Sequence, residues 1–301
     1  MNILISGGSG LIGQALSEYL HANGDEVTII SRTPKKAVES GKPQEISWDD
    51  LSGPNGFLSR KIVDVVINLA GENIGSGRWT AKRKEKILES RLFASEMLVN
   101  AIRQTANKPG LFIQSSAIGY YGTDKEQPFD ETSPPGNDFL AGVAQKWESS
   151  SLVIEEMSIR RVVIRTGVVL SIQGGALPRM LLPFHFFIGG PLGTGRQWVS
   201  WIHIEDEIRA IKHVIDKKSI SGAVNLTSPN PVTNAEFGRT ISRVMKRPYW
   251  LPVPAFALNT VLGEMSVLVL EGQKVRPGKL EETGFKYSFP NLGEALQDLL
   301  S

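Results

Sequence analysis

Apolar residues in this chain switch repeatedly between short unbroken runs and stripes at 3–4 spacing. Ile3-Leu4-Ile5 is the first run and suits a strand buried on both faces. From Leu11 to Asn23 the apolar residues Leu11, Ile12, Ala15, Leu16 and Leu20 share one helical face, and Gly24 supplies a stop. Val27-Thr28-Ile29-Ile30 is a second strand, rich in β-branched residues. Asp64–Leu69 and Leu111–Ser115 read as central strands, with a long helix from Thr80 to about residue 105 between them. A helix from Asp138 to about residue 157 leads to a strand at Arg161–Arg165. His203–Lys217 and Ala223–Thr227 return as helix and strand. Strands alternating with helices across short loops predict an α/β fold with a doubly wound, mostly parallel sheet.

Beyond about Ser171 the pattern changes. Glycines at 174–175, 189–190, 193 and 195 punctuate a segment carrying Leu181, Leu182, Phe184, Phe186 and Phe187, read as a lid or substrate loop over residues 172–200. Residues 1–228 form the main domain in this reading. Residues 229–301 form a small C-terminal lobe over the carboxyl ends of the strands, where open α/β sheets bind ligands.

The first turn carries the clearest chemistry. Gly7-Gly8-Ser9-Gly10-Leu11-Ile12-Gly13 is a G-x-x-G-x-x-G pattern between strand and helix. Small residues let the chain turn tightly, approach a pyrophosphate and pack helix on sheet, while the helix N-terminus presents free N–H groups. The expectation is a Rossmann-type dinucleotide site lined by Gly7, Ser9, Gly10, Leu11, Ile12 and Gly13. An NAD site places a carboxylate at the end of the second strand, about 20 residues beyond the glycines. Ser31-Arg32 stands there instead, with Lys35 and Lys36 behind it. A guanidinium can pair with a 2′-phosphate, so NADP(H) is the expected cofactor.

Composition narrows the class without changing it. Thirty-three basic and 31 acidic residues give a net charge of +2 in 301 residues, with no basic run dense enough for a nucleic-acid surface. There is no cysteine, and four histidines without a H-E-x-x-H pattern argue against a metal site. The apolar stretches near 180–188 and 265–270 are too short to span a bilayer, and with no basic stretch followed by an apolar core at the N-terminus no leader is expected. A cytoplasmic protein with a small-molecule substrate is expected, without nucleic-acid or membrane partners and with a homodimer as a compatible assembly.

Arg91 interrupts the apolar row Ile87, Ala94, Ser95, Leu98 and Ile102. Two readings stand: it reaches a cofactor or substrate oxygen, or it snorkels past the sheet. His203 is read as bonding near Asp206, itself read as a helix N-cap.

Together, Gly7/Gly10/Gly13, Asn68-Leu69-Ala70-Gly71, Ser115-Ser116-Ala117 and Trp201-Ile202-His203-Ile204-Glu205-Asp206 resemble the extended, epimerase-like short-chain dehydrogenases/reductases. Ser115–Gly122, the glycine-rich stretch to Gly195, Glu271–Val275 and Gly284-Phe285 resemble a small atypical subfamily of these, across essentially the whole chain. The resemblance implies that Ser31, Arg32, Asn68, Leu69, Ala70, Gly71, Arg91 and Ser115 lie at the cofactor, and that Ser116 is the active-site serine. Catalytic members also carry Tyr-x-x-x-Lys on one helical face, about 25 residues beyond the serine. Here those places hold Leu140-Ala141 and Ala144-Gln145, with Lys146 off the required face. Tyr121 and Lys125 match the spacing only within a turn.

Ser116, Tyr120 and Tyr121 are therefore the catalytic candidates. The serine would polarise a substrate oxygen and one tyrosine would donate a proton; the plain alternatives are a strand-end turn and aromatic packing. Glu72 and Asn73 are read as loop residues beside the site. Two functions follow: hydride transfer on a small molecule, or a non-catalytic NADP(H)-binding regulatory or sensor role.

Overall fold

The computed structural model describes residues 1–34, 42–53, 55–123 and 127–301. Seven strands form one sheet: β1 Asn2–Ser6, β2 Glu26–Ile30, β3 Gln44–Ile46, β4 Val65–Asn68, β5 Leu111–Ala117, β6 Arg160–Thr166 and β7 Gly222–Leu226. Their order is β7-β6-β5-β4-β1-β2-β3, and every pairing is parallel. The chain winds outward from β1 in both directions, so the switch point lies between β1 and β4, where such sheets open a ligand crevice. The expected strands are all present. The sequence pattern missed β3, because a three-residue Gln-Glu-Ile strand at a sheet edge has almost no apolar signal.

Eight longer helices accompany the sheet: α1 Leu11–Ala22, α2 Ala81–Gln104, α3 Phe139–Ser149, α4 Leu177–His185, α5 Ile204–Asp216, α6 Asn234–Met245, α7 Ala255–Leu262 and α8 Leu292–Leu300. Strand side chains alternate between faces. Ile3, Ile5, Ile67 and Ile113 accordingly meet Leu16 and Leu20 of α1 and Ile211 and Val214 of α5. Leu4, Val66 and Phe112 meet Leu98 and Ile102 of α2 on the other face.

The helix expected from 138 to 157 is broken. It ends at Ser149 and resumes only as a short turn at Val153–Glu156. Ser150 and Ser151 donate from their hydroxyls to the carbonyls of Trp147 and Glu148, offering the backbone a local alternative to continued helix.

The start of α5 also differs from expectation. The N-cap is His203, whose Nδ1 accepts from the Glu205 N–H at 3.2 Å, and not Asp206. Asp206 already lies inside the first turn. Its buried carboxylate accepts the N–H groups of Ser288 and Phe289, both at 2.8 Å, and so ties the C-terminal segment down. Burial lowers the pKa of His203.

Segment 172–200 contains α4, whose Leu177, Leu181 and Phe184 share a core with Phe237 and Ile241 of α6 and Leu296 of α8. Lys274–Val275 pairs in parallel with Pro128–Phe129, tying the C-terminal segment to the stretch after β5, and Ser200 Oγ bridges Gln273 and Val275. Among the described residues, no helix is long and apolar enough to cross a membrane.

Glu207 of α5 is fully buried, with one oxygen accepting from Thr166 Oγ1 at 2.8 Å and the other without a hydrogen-bond partner. Burial raises its pKa from 4.5 to about 8. A carboxyl group whose pKa is raised on folding contributes stability that is complete below its unfolded value and is lost as the pH climbs through the folded one. The thermal midpoint should therefore fall between pH 4.5 and about 8 and flatten above. Glu207→Gln should remove that slope; a melting series in which the variant keeps it would place the effect elsewhere.

Candidate cofactor and active site

The glycine turn between β1 and α1 is closed to side chains. Gly7 has φ +77°, and a methyl group there would lie 2.6 Å from the Leu69 carbonyl carbon. One on Gly8 would meet Ile29 at 2.4 Å, and one on Gly13 would meet Gly7 O at 2.2 Å. These three therefore serve backbone conformation and close packing of β1, β2, β4 and α1. Ser9 and Gly10 are exposed at the turn, and Leu11 and Ile12 are half-buried. No side chain caps α1 at Gly10, so its first-turn N–H groups remain available to an anion at the carboxyl edge of the sheet. Gly174 and Gly175 run over Leu11, with a methyl on Gly175 only 3.2 Å from its side chain.

At the end of β2, the Ser31 N–H bonds Ile46 O of β3, Ser31 Oγ accepts from Thr33 N–H, and Arg32 is exposed. Lys35 and Lys36 lie outside the described residues. The end of β4 is organised from below. Asn68 is fully buried, and its amide oxygen accepts from Ser6 Oγ at 2.7 Å and from the Ala70 N–H at 3.3 Å. Its amide nitrogen donates to Ser95 Oγ and Gln114 Oε1. The Asn68 side chain thus shapes the turn Leu69-Ala70-Gly71, whose Leu69 N–H also bonds Ser6 O.

Arg91 sits against this turn. Its Nη1 donates to Glu72 O at 3.0 Å and Ile87 O at 2.8 Å, and its guanidinium lies 4.7 Å from the Trp147 ring centre. A methyl on Gly71 would come within 3.1 Å of it. Burial pushes its pKa down to about 10, which leaves it charged at neutral pH. Glu72, read from the sequence as a loop residue, is bound by Arg83 at 2.9 Å, which holds its carboxyl below the usual range. Asn73 Oδ1 accepts from the Gly75 N–H.

The three catalytic candidates have unequal surroundings. Ser116 is buried at the end of β5 and donates to Glu148 Oε1 at 2.7 Å. Glu148 of α3 is clasped by Arg165 of β6 through two bonds of 2.9 Å. Arg165 also donates to the Tyr121 hydroxyl at 3.0 Å, and that hydroxyl donates to Asn225 Oδ1 at 2.7 Å. Burial raises the pKa of Tyr121 to about 12. Tyr120 is half-buried, with the Arg165 guanidinium 3.4 Å above its ring, and its hydroxyl bonds no described residue. Ser115 is half-buried beside them.

Where related enzymes carry Tyr and Lys, Leu140 packs near Gly119, Ala141 and Ala144 are buried, and Gln145 donates to Gly136 O. Lys146 is exposed. The sequence reading missed Glu148, Arg165 and Asn225. The one available signal was a charge inside the otherwise apolar run Val162–Thr166, which demands a buried partner.

The model of the NAD dependent epimerase/dehydratase family matches residues 3–226, and a domain of unknown function matches 253–299. The chain is 44% identical over 303 residues to the epimerase family protein YfhF of Bacillus subtilis (strain 168), covering all of this chain and 98% of that protein. A crystal structure of human epimerase family protein SDR39U1 (isoform 2) with NADPH is 37% identical, with a TM-score of 0.91 over 99% of both chains. A UDP-glucose 4-epimerase from Thermotoga maritima, solved with UDP-glucose, shares the fold at 18% identity and a TM-score of 0.76, covering 99% of this chain and 97% of that one. The glycine turn, the seven-strand parallel sheet and these matches agree: the chain belongs to the NAD dependent epimerase/dehydratase family, among its epimerase-like members.

Proposed function

We propose that the protein binds NADP(H) in the crevice at the β1–β4 switch point and acts on a small molecule there. The observation that carries this reading is the combination of a glycine turn with no room for side chains and an exposed Arg32, with no carboxylate, at the end of β2. The N-terminus of α1 would hold the pyrophosphate and Arg32 the 2′-phosphate, while the backbone at 69–71 and the Arg91 guanidinium line the remaining wall. The human relative solved with NADPH supports the same cofactor. When bound, the nicotinamide supplies hydride chemistry.

Within this proposal Tyr120 is the proton donor, because its hydroxyl bonds none of the described residues, whereas that of Tyr121 is engaged by Arg165 and Asn225. Ser116 would turn from Glu148 to a substrate oxygen. A second reading, a non-catalytic NADP(H) sensor, is favoured by Leu140 and Ala144 at the places of the customary Tyr and Lys.

Calorimetric titration should give NADP(H) binding tighter than NAD(H), with Arg32→Ala weakening NADP(H) alone by about tenfold or more. Equal affinities in the wild type would remove the 2′-phosphate assignment. Substrate-dependent nicotinamide oxidation that is lost in Tyr120→Phe supports the enzyme. Tight binding with no turnover across a carbonyl panel favours the sensor.

A further inference from the structure

On the C-terminal lobe, apolar side chains stand in solvent around the end of α4. Leu182, Phe186, Phe187 and Ile188 are 54, 66, 51 and 45% exposed, and Trp250 and Leu251 are 63 and 38% exposed. They form one surface: the Trp250 indole donates to Phe187 O at 2.9 Å, and the N–H groups of Trp250 and Leu251 both bond Gly189 O. The six expose roughly 600 Å² of apolar area, the upper end for the largest patch on a monomer. Phe187 is held at φ +60°, a left-handed conformation that bulky residues rarely adopt, and this turn keeps its neighbours pointing outward.

The rim of this surface is mainly cationic, with Glu236 beside Arg239 as its one acid among the described residues. Arg239, Arg243 and Lys246 are exposed at i, i+4 and i+7 along α6 and just beyond it. The Arg247 guanidinium lies 4.3 Å over the Phe187 ring, with its Nε buried and unbonded. The Tyr249 hydroxyl is also buried and unbonded. The two stretches that build the face, 157–204 and 237–263, contain no Asp or Glu at all. A two-fold contact between copies through this face would set Arg243, Lys246 and Arg247 against the same cations of the other copy, which disfavours self-association.

We propose that this face docks on a lipid surface bearing anionic phosphate headgroups, with the Phe186–Ile188 tip and Trp250 entering the interface. Aromatic and aliphatic residues in a protruding tip suit the headgroup–acyl boundary, and the exposed arginine–lysine rim suits phosphates. The sequence expectation of no membrane partner rested on span length, and a peripheral face needs no span.

The test is co-sedimentation of the full chain with vesicles of phosphatidylcholine alone and with 30% phosphatidylglycerol, near physiological salt. The expected result is partition onto the anionic vesicles only, with Trp fluorescence quenched by brominated lipid and the quenching lost in Trp250→Ser. Arg243→Glu/Lys246→Glu should weaken partition by about thirtyfold or more, at roughly fivefold per cation. Phe186→Ser/Phe187→Ser should abolish it, while circular dichroism and NADP(H) titration confirm that both variants fold. No partition by a folded wild type, partition indifferent to these substitutions, or a wild-type dimer dispersed by Trp250→Glu in sedimentation velocity would each overturn the proposal.

Discussion

Gly13→Ala will weaken NADP(H) binding by at least about a hundredfold, close to 3 kcal/mol, while Gly24→Ala will leave it unchanged. The added methyl on Gly13 would sit 2.2 Å from Gly7 O and 2.8 Å from Gly8 Cα, so α1 must withdraw from the turn that it completes. Backbone cannot yield as a side-chain tip can, and the first-turn N–H groups move with the helix. Gly24 has φ +86° with nothing within 4 Å of an added methyl. Its substitution should cost about 1 kcal/mol of stability through backbone strain alone. Fluorescence titration together with thermal melts checks the pair. If Gly13→Ala binds within a few-fold of wild type, the cofactor does not depend on this turn.

Arg165→Met will cost about 3–5 kcal/mol of folding stability, the largest loss expected from any single polar substitution here. The side chains of Arg165 and Glu148 are 5 and 12% exposed and bonded twice. Removing the guanidinium leaves a buried carboxylate facing Ser116 and deprives the Tyr121 hydroxyl of its donor. Replacing both partners, Arg165→Met with Glu148→Leu, should recover most of the loss, because two fitting apolar groups need no solvation. Urea unfolding of the two singles and the double measures the coupling. A single-variant cost below about 1 kcal/mol would mean that water already reaches the pair.

The geometry of this pair bears on the proposed chemistry. The partner of Ser116 in this structure is a carboxylate fixed by an arginine, and the tyrosine whose ring lies against that arginine has a hydroxyl that bonds no described residue. Arg165 is therefore a positioning residue for both Ser116 and Tyr120 in the proposed reaction.

The sequence by itself determined the sheet and the cofactor turn. Unbroken apolar runs such as Ile3–Ile5 need cover on both faces, and the stripe Leu11–Leu20 provides it, so period alone placed strands and helices. The glycines at 7, 10 and 13 were legible because their requirement is local: a turn, a strand and a helix lie within 13 residues, whereas the need for glycine at 8 comes from Ile29 of β2.

What only the tertiary structure decided lies where partners are distant in the chain. Asn68 turned inward because Ser6, Ser95 and Gln114 meet it there. Asp206 served Ser288 and Phe289 and not its own helix end. Ser116 and Tyr121 share one stretch, but Glu148, Arg165 and Asn225 join them from three other segments, and no spacing rule relates these to it. Whether Phe184 or Phe186 would be core was also undecided by pattern, since both belong to one apolar run. Contact with Tyr249 and α6 buried the first, and the left-handed turn at Phe187 left the second in solvent. Local periodicity fixes which residues must be covered, whereas the choice of cover for a polar group is made by whichever donor or acceptor the packed chain brings within reach.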